Sequence, residues 1–482
     1  MKYKHVLFLY PYPAKAVTDT MMLFPPTGLE YVATSAKKYV GKVTLLDLRY
    51  EKDLSNIKYL LDFIQREKID IIGVSIGWNR YLKEVLNLVK QMPKNIPLVV
   101  GGYKATEIVE EIFEDCPPVD IIVRGEGEET IKAILKGEPL EKILGISFRA
   151  NGKVIHNGPE PLPDVNSLPS PDRTLRRNKY NLLLNGISVA NLSFDMVLSA
   201  RGCPFNCKFC TFSLNPLGQK REYSARSVES VMQEIEEITA DVIFFSDDNF
   251  FVDIKRAERI CDLIIARKIK KRFMAQARIE IARHPALLGK MVKAGFKALQ
   301  IGIESPHDHI LTQLNKGFDS ETVRKSFAVL KKYPIYYHGY FIYGNIGETE
   351  EEMLYIPKFA KEIGVDSITF QKLRIEKFSP LREIVDKTPG YHVTKKGSLY
   401  SDTFSYEDLK KVGRKIKFSF YTPSRYVKMF WKSFFVVKFF TLSEFLAFLV
   451  VAPRLLKSAI DRERKKGRLI NSLKRTFIKN TS

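Results

Sequence analysis

The chain has 482 residues, 45% of them hydrophobic and 27% charged, which is the balance of a folded protein too long for one ordinary core. Its net charge of +22, from 77 Lys and Arg against 55 Asp and Glu, calls for a polyanionic partner or surface, either nucleic acid or anionic lipid. Only five cysteines occur, three of them between 203 and 210, which excludes a disulfide framework and points to a reducing compartment.

Met1 to Tyr10 carries lysines but runs straight into a strand-like segment, so no signal peptide is expected. Residues 1–143 then alternate strand-like runs, Val6 to Tyr10, Val43 to Asp47, Ile69 to Ser75, Leu98 to Gly101 and Ile121 to Val123, with amphipathic stretches such as Tyr59 to Glu67 and Leu82 to Gln91. This alternation predicts an α/β, doubly wound parallel sheet whose ligands sit beyond the carboxyl ends of the strands. Those ends read Ser75-Ile76-Gly77, Gly101-Gly102-Tyr103 and Arg124-Gly125-Glu126-Gly127. Any one is ordinary turn chemistry, whereas recurrence at three successive ends favours a cofactor. No G-x-G-x-x-G opens the first helix, so a nicotinamide or flavin dinucleotide is not expected.

Residues 144–192 change to hairpin-like strands and a linker holding Pro159, Pro161, Pro163, Pro169 and Pro171. Over 193–385 the strand and helix signals alternate again, with strands at Val242 to Ser246, Arg272 to Ala277, Ala298 to Glu304, Tyr337 to Tyr343 and Ser367 to Gln371. Counting the strand before Cys203, six βα units predict a partial barrel. Asp247, Asp248, Arg278, Glu304 and Ser305 fall at or near the carboxyl ends of its strands, where barrel chemistry takes place.

Residues 386–482 read as helical and basic. Tyr426 to Phe440 and Leu442 to Ile460 are helix-like, the second opened by the capping-box sequence Thr441-Leu442-Ser443-Glu444. The longest run without charge after Glu444 is Phe445 to Pro453, far short of the roughly twenty residues a spanning helix needs. Lys428, Lys432 and Lys438 share an arc of roughly 120° with aromatic residues and would snorkel around an apolar body. Arg454, Lys457, Arg462, Arg464, Lys465, Lys466, Arg468, Lys474 and Arg475 follow, against Asp461 and Glu463. Aromatic helices with such a cluster predict an interfacial anchor on anionic headgroups and a cytoplasmic protein held peripherally at the membrane. The alternative is a helical cap on the barrel with a solvated basic tail. Nucleic acid is disfavoured, because the charge lies beside large aliphatic and aromatic surface.

The strongest chemical signal is Cys203-Pro204-Phe205-Asn206-Cys207-Lys208-Phe209-Cys210. Three thiolates cannot close a tetrahedral zinc site, and no histidine or fourth cysteine lies near in sequence. Cys116 and Cys261 read as small buried hydrophobes inside helical patterns. Four irons held by three cysteines would leave one iron open to a ligand.

This C-x3-C-x2-C loop, with Phe209 before its last cysteine, resembles the signature of the radical S-adenosylmethionine superfamily. Leu23-Phe24-Pro25-Pro26-Thr27-Gly28-Leu29-Glu30-Tyr31, Gly101-Gly102 and Arg124 to Glu128 resemble the cobalamin-binding domain of its cobalamin-dependent branch. Phe245 to Phe250, Gln276-Ala277-Arg278, Gly302 to Ser305 and Gly344 to Thr349 resemble that branch's barrel motifs. The resemblance implies a 4Fe-4S cluster on Cys203, Cys207 and Cys210, with S-adenosylmethionine chelating the open iron and Phe209 near the adenine. Asp247, Asp248, Arg278, Glu304 and Ser305 would position the rest of that cofactor. Ser75, Gly101, Gly102, Gly125 and Glu126 would line a cobalamin site, and a ferredoxin or flavodoxin would supply the electron. The D-x-H-x-x-G pattern of histidine-ligated cobalamin is missing, because the corresponding place reads Asp47-Leu48-Arg49-Tyr50.

With its carboxyl-terminal segment, the chain resembles hopanoid methylases and archaeal tetraether ring synthases. The expected function is radical functionalisation of an unactivated carbon in a membrane lipid, by C-methylation or C-C ring formation. The alternative is a methyl- or methylthiotransferase acting on RNA or protein.

Overall fold

The computed structural model describes residues 1–482 apart from 17–23, 52, 185–186, 211–213, 377, 395–396, 456 and 459–482. Most of the predicted basic cluster, from Asp461 onward, therefore lies outside the described residues, as does Leu23.

The five apolar runs near the amino terminus become β1 (His5–Tyr10), β2 (Lys42–Asp47), β3 (Ile71–Ser75), β4 (Leu98–Gly101) and β5 (Ile121–Val123). They pair in parallel in the order β2-β1-β3-β4-β5. Both faces are covered, because successive residues point to opposite sides. Leu7, Leu9, Ile72, Val74 and Val100 enter one core, while Val6, Phe8, Ile71 and Val99 enter the other.

The hairpin β6 (Ile146–Ala150) and β7 (Lys153–His156), expected within the linker, instead extends this sheet antiparallel to β5. The first unit thus runs past residue 143. The proline-rich segment behind it is pinned by arginines. Arg176 bridges Glu30 of the first unit (2.6 Å) and Asp195 of the second (2.8 Å).

The second sheet begins at β8 (Asn181–Leu184), earlier than residue 193, and continues through β9 (Ile187–Val197). After the short pair β10 (Ala200–Arg201) and β11 (Ser224–Ala225) come β12 (Val242–Phe245), β13 (Arg272–Ala277), β14 (Phe296–Glu304), β15 (Tyr336–Tyr343) and β16 (Ser367–Lys372). The order is β16-β15-β14-β13-β12-β9-β8, with six parallel strands and β8 antiparallel at the edge, which makes the expected half-barrel. Phe245, Phe273, Ala275, Leu299, Tyr337 and Phe341 face the outer helices. Phe194, Phe244, Met274 and Ala298 face the concave side.

A small hairpin, β17 (Tyr391–Val393) and β18 (Leu399–Ser401), precedes helix Tyr406–Phe420. That helix inserts Leu409, Val412, Ile416 and Phe420 into the barrel's main core, so this part of the carboxyl-terminal segment is barrel covering. Helix Pro423–Trp431, a π-helical turn Lys432–Val436 and a helix over 442–455 follow. The predicted capping box is present: Thr441 N donates to Glu444 (2.7 Å) and Glu444 N to Thr441 Oγ1 (3.3 Å). Among the described residues no helix is long and apolar enough to cross a membrane.

Candidate active site

β9 ends at Val197, and the chain turns through Ser199 to Gly202 into the cysteine loop at the carboxyl end of the half-barrel. Gly202 has φ +82, and a Cβ there would meet Glu222 O at 2.4 Å and Arg221 O at 2.7 Å, so the turn needs glycine. Asp247 and Asp248, at the end of β12, hold this turn from below. The Asp247 carboxylate accepts Ser199 N (2.6 Å) and the Asp248 carboxylate accepts Gly202 N (2.9 Å). Burial pushes both carboxyls up to about 6. These two residues, expected beside the cofactor, position the backbone that carries Cys203.

All three loop cysteines are half-buried and none forms a disulfide. Arg278, at the end of β13, places Nη1 3.4 Å from Cys207 Sγ and stacks over the Phe205 ring at 3.8 Å. Its pKa is raised: burial opposes the charge, but Glu280 and Cys207 outweigh it. A guanidinium fixed beside one sulfur offsets the negative charge that three thiolates would gather. Among the described residues no three His, Cys, Asp or Glu side chains converge on one ion site.

Glu304 ends β14 at φ 69, a left-handed conformation unusual for glutamate, at an irregularity in the β14–β15 register. Its carboxylate pairs with Lys316 at 3.1 Å, both residues being buried. Lys316 was not singled out from the sequence. Its only signal there is a lysine in the turn Asn315-Lys316-Gly317, whereas in space its ammonium lies 5.7 Å from the Phe209 ring. Phe209 packs against the small core of Ile310, Leu314, Ile346 and Leu373. Ser305 is buried, and its Oγ accepts His307 N (3.1 Å), a turn-holding role.

Below this end, the concave face carries a belt of uncharged polar side chains. Tyr340 donates to Gln300 Oε1 (2.7 Å), and both His338 ring nitrogens meet hydroxyls, Ser367 Oγ at 2.7 Å and Thr369 Oγ1 at 2.9 Å. Burial pushes His338 down to about 4, so its ring is neutral near pH 7. In the sequence this belt is marked only by polar residues at every second position of a buried strand, such as His338 and Tyr340.

The glycine-rich strand ends of the first sheet meet the same region. Arg201 bridges Glu126 (2.5 Å) and Glu128 (2.6 Å), tying the turn after β5 to the residues entering the cysteine loop. Glu126, expected at the cobalamin, is thus an ion-pair partner of Arg201. Gly125 (φ +84) faces Leu217, Gln219 and Asn215 from the segment after the cysteines. Gly102 has φ +105, and a Cβ there would meet Ile76 O at 2.8 Å. Gly101 closes β4 by accepting Ile76 N (2.7 Å), and Ser75 is half-buried at the end of β3. Tyr12 OH accepts Gly77 N (3.0 Å) and Trp78 N (2.8 Å), which holds the β3 loop with Trp78 64% exposed beside it. Where a histidine ligand would stand, Arg49 Nη2 pairs with Asp47 at 2.6 Å, and Tyr180 OH donates to the same carboxylate. Open space at this edge lies at Gly77, where a Cβ would meet nothing within 4 Å, beside the exposed Trp78 indole, so a flat ligand would be held by backbone and indole and without a histidine at position 49.

The family described as Radical SAM superfamily matches residues 197–360, and the B12 binding domain family matches residues 16–135. The chain is 31% identical over 385 residues to an uncharacterized methyltransferase of Pyrococcus horikoshii, covering 77% of this chain and 80% of that protein. It is 26% identical over 313 residues to the hopanoid C-3 methylase of Methylococcus capsulatus, covering 62% and 57%. Its fold is like that of the radical S-adenosylmethionine methyltransferase TsrM from Kitasatospora setae, with TM-score 0.70, 15% identity and coverage of 88% and 90%. When bound, the cluster, S-adenosylmethionine and cobalamin of such enzymes supply a 5'-deoxyadenosyl radical and a methyl carrier. The chain's own contribution is to hold the thiolates, to set Arg278 against their charge and to join both cofactor-bearing edges through Arg201. With both domains matched and placed edge to edge, the chain belongs to the radical SAM superfamily, in the branch that carries an amino-terminal B12 binding domain.

Proposed function

We propose that this enzyme uses a 5'-deoxyadenosyl radical to functionalise an unactivated carbon of an isoprenoid or hopanoid-type membrane lipid, by C-methylation or C-C ring formation. The observation that carries the reading is the apolar surface of the carboxyl-terminal hairpin, formed by helix Pro423–Trp431 and the helix over 442–455, which meet through Phe430 and Phe445 at 5.6 Å. Val427, Trp431, Phe435, Leu442, Leu446 and Val450 are all exposed within 24 residues of chain, and apolar side chains exposed together mark an interaction surface. Lys428 and Lys438 are exposed on the same segment, and the sequence continues into a basic tail. Apolar side chains flanked by lysine suit an anionic bilayer surface, where the former enter the acyl boundary and the latter meet headgroups.

The neutral belt of Gln300, His338, Tyr340 and Thr369 supports the same reading. It offers hydrogen bonds to a hydroxyl, ether or carbonyl and no countercharge to an ionic substrate. The likeness to a hopanoid C-3 methylase adds weight to a polycyclic or isoprenoid substrate.

Mass spectrometry of the lipids of a gene deletion beside its complemented strain tests the proposal. Loss of a methylated lipid on deletion identifies methyl transfer, and loss of a lipid two hydrogens lighter than its precursor identifies ring closure. An unchanged lipid profile, with cluster and cobalamin present in the purified protein, would sink it.

A further inference from the structure

The half-barrel has two ends, and the carboxyl-terminal hairpin closes the one opposite the cysteines. Three tethers fix it there. Arg272 Nη2 lies 2.9 Å from both Glu444 oxygens, Lys297 Nζ donates to Val437 O at 3.0 Å, and Lys432 Nζ pairs with Asp366 at 2.7 Å. Arg272, Lys297 and Asp366 stand at the amino ends of β13, β14 and β16.

Between the tethers the hairpin sends Val437 and Phe439 into the floor of the concave face, against Phe194, Phe244 and Met274. Phe24 of the first unit completes that floor, 5.7 Å from both Phe194 and Phe244. From Phe439 the aromatic contacts run outward without a break. Phe439 meets Phe440 at 5.0 Å, Phe440 meets Phe434 at 4.6 Å and Phe434 meets Phe445 at 4.9 Å. Phe445 reaches Phe435 at 6.4 Å, and Phe435 stacks near Trp431 at 4.4 Å on the exposed surface. A column of side chains without charge therefore joins the outer apolar patch to the inside of the barrel.

The hairpin also carries the marks of a joint. Lys438 lies between the two plug residues at φ 50, a left-handed conformation that costs a non-glycine residue on the order of 1–3 kcal/mol. Immediately before it the helix widens into the π-helical turn Lys432–Val436, a geometry common at functional sites. Plug residues seated by aromatic contacts, a strained residue between them and ionic tethers at the rim form a closure that can open as a unit.

We propose that the segment Trp431–Phe445 is a gate on an anionic bilayer, through which the apolar body of a lipid enters the half-barrel by its floor while the headgroup stays outside with Lys428 and Lys438. The inference rests on the lipid reading above and adds the route. The cysteine loop and the gate stand at opposite ends of one concave face, and the buried cluster of Phe194, Phe244, Met274, Val437 and Phe439 fills the gate end. From Met274 at the floor to Arg278 beside Cys207 is four residues of strand, roughly 13 Å, so the reacting carbon lies well inside the lipid's apolar body. The neutral belt lies between, which suits a body with uncharged polar groups.

The test uses the full-length protein with a reporter in the floor. The protein has two tryptophans, Trp78 and Trp431. In the variant W78F/W431F/M274W the one remaining tryptophan reports on the floor, and F194W serves as a second reporter should M274W not fold. Phosphatidylglycerol vesicles carrying a doxyl label on a phospholipid acyl chain are expected to quench the floor tryptophan, whereas unlabelled vesicles and labelled phosphatidylcholine vesicles are not. Aqueous acrylamide is expected to quench it poorly in lipid-free protein. Co-sedimentation with phosphatidylglycerol vesicles and quenching of native Trp431, with the floor tryptophan untouched, would overturn the gate and leave the docking reading intact. No co-sedimentation would remove the docking reading and the gate with it. Ready acrylamide quenching without lipid would show a floor already open to water, and would overturn the gate as well.

Discussion

Arg201 Nη2 lies 2.6 Å from Glu128, a carboxylate only 3% exposed, and this ion pair couples the first sheet to the turn that carries the cysteines. Removing one partner of a buried pair leaves the other charge uncompensated, which costs about 3–5 kcal/mol. Arg201→Met strands the buried Glu128, whereas Glu126 keeps Arg221 at 3.4 Å, so a loss of that order is expected in chemical denaturation. Arg201→Lys keeps the charge but not the two-armed geometry and should fall between. A variant as stable as the parent would show that the two edges are held by other contacts.

The three loop cysteines should be inseparable in effect. Cys203→Ser, Cys207→Ser and Cys210→Ser are each expected to lower the iron content and the visible absorbance of protein reconstituted without oxygen. Cys116→Ser and Cys261→Ser remove buried thiols whose pKa burial has raised, and should leave the iron unchanged.

Lys316 and Glu304 form a buried pair at 3.1 Å near the cysteine loop. Lys316→Met is expected to destabilise by about 3–5 kcal/mol, because Glu304 is left charged and buried. Adding Glu304→Gln should restore much of that stability while S-adenosylmethionine affinity, followed by isothermal titration, stays low. If titration shows affinity returning with stability, the pair acts only as scaffolding.

Trp78 is 64% exposed at the β3 end of the glycine-rich edge. In a Trp431→Phe variant, cobalamin is expected to quench the remaining tryptophan emission saturably, and Gly77→Val, whose side chain would enter the open space there, should abolish the effect. Unchanged emission at saturating cobalamin would place the ligand elsewhere.

Glu348 accepts Asn345 N (2.9 Å) while its other carboxylate oxygen is buried without a partner among the described residues. Burial pushes its pKa up to about 7 from 4.5. A raised carboxyl pKa means that the folded state holds the proton more tightly, so stability is present below about 4.5 and is lost as pH rises through about 7. Between pH 5 and 8 the melting temperature of Glu348→Gln is therefore expected to vary less than that of the parent.

Most of the architecture was legible because buried parallel strands and their helices write continuous apolar runs and 3.6-residue periods into the chain. The hairpin β6–β7 was legible as strands but its docking on β5 was not, since a pairing across a turn and helix leaves no local trace. At the candidate site, the spacing of Cys203, Cys207 and Cys210 stands out in the sequence. The contacts of Asp247, Asp248, Ser305 and Glu126 do not, because a carboxylate or hydroxyl near a strand end can hold a ligand, a backbone amide or an arginine with equal chemistry.

The sequence by itself determined the two folds, the thiolate loop and the amphipathic tail, all of which follow from residue type and short-range spacing. Only the tertiary structure decided which charges neutralise which. It set Arg278 beside Cys207, Lys316 beside Glu304 and Arg201 between Glu126 and Glu128. It also set Val437 and Phe439 against the floor of the half-barrel, because burial excludes water and so selects partners many residues apart that no local pattern records.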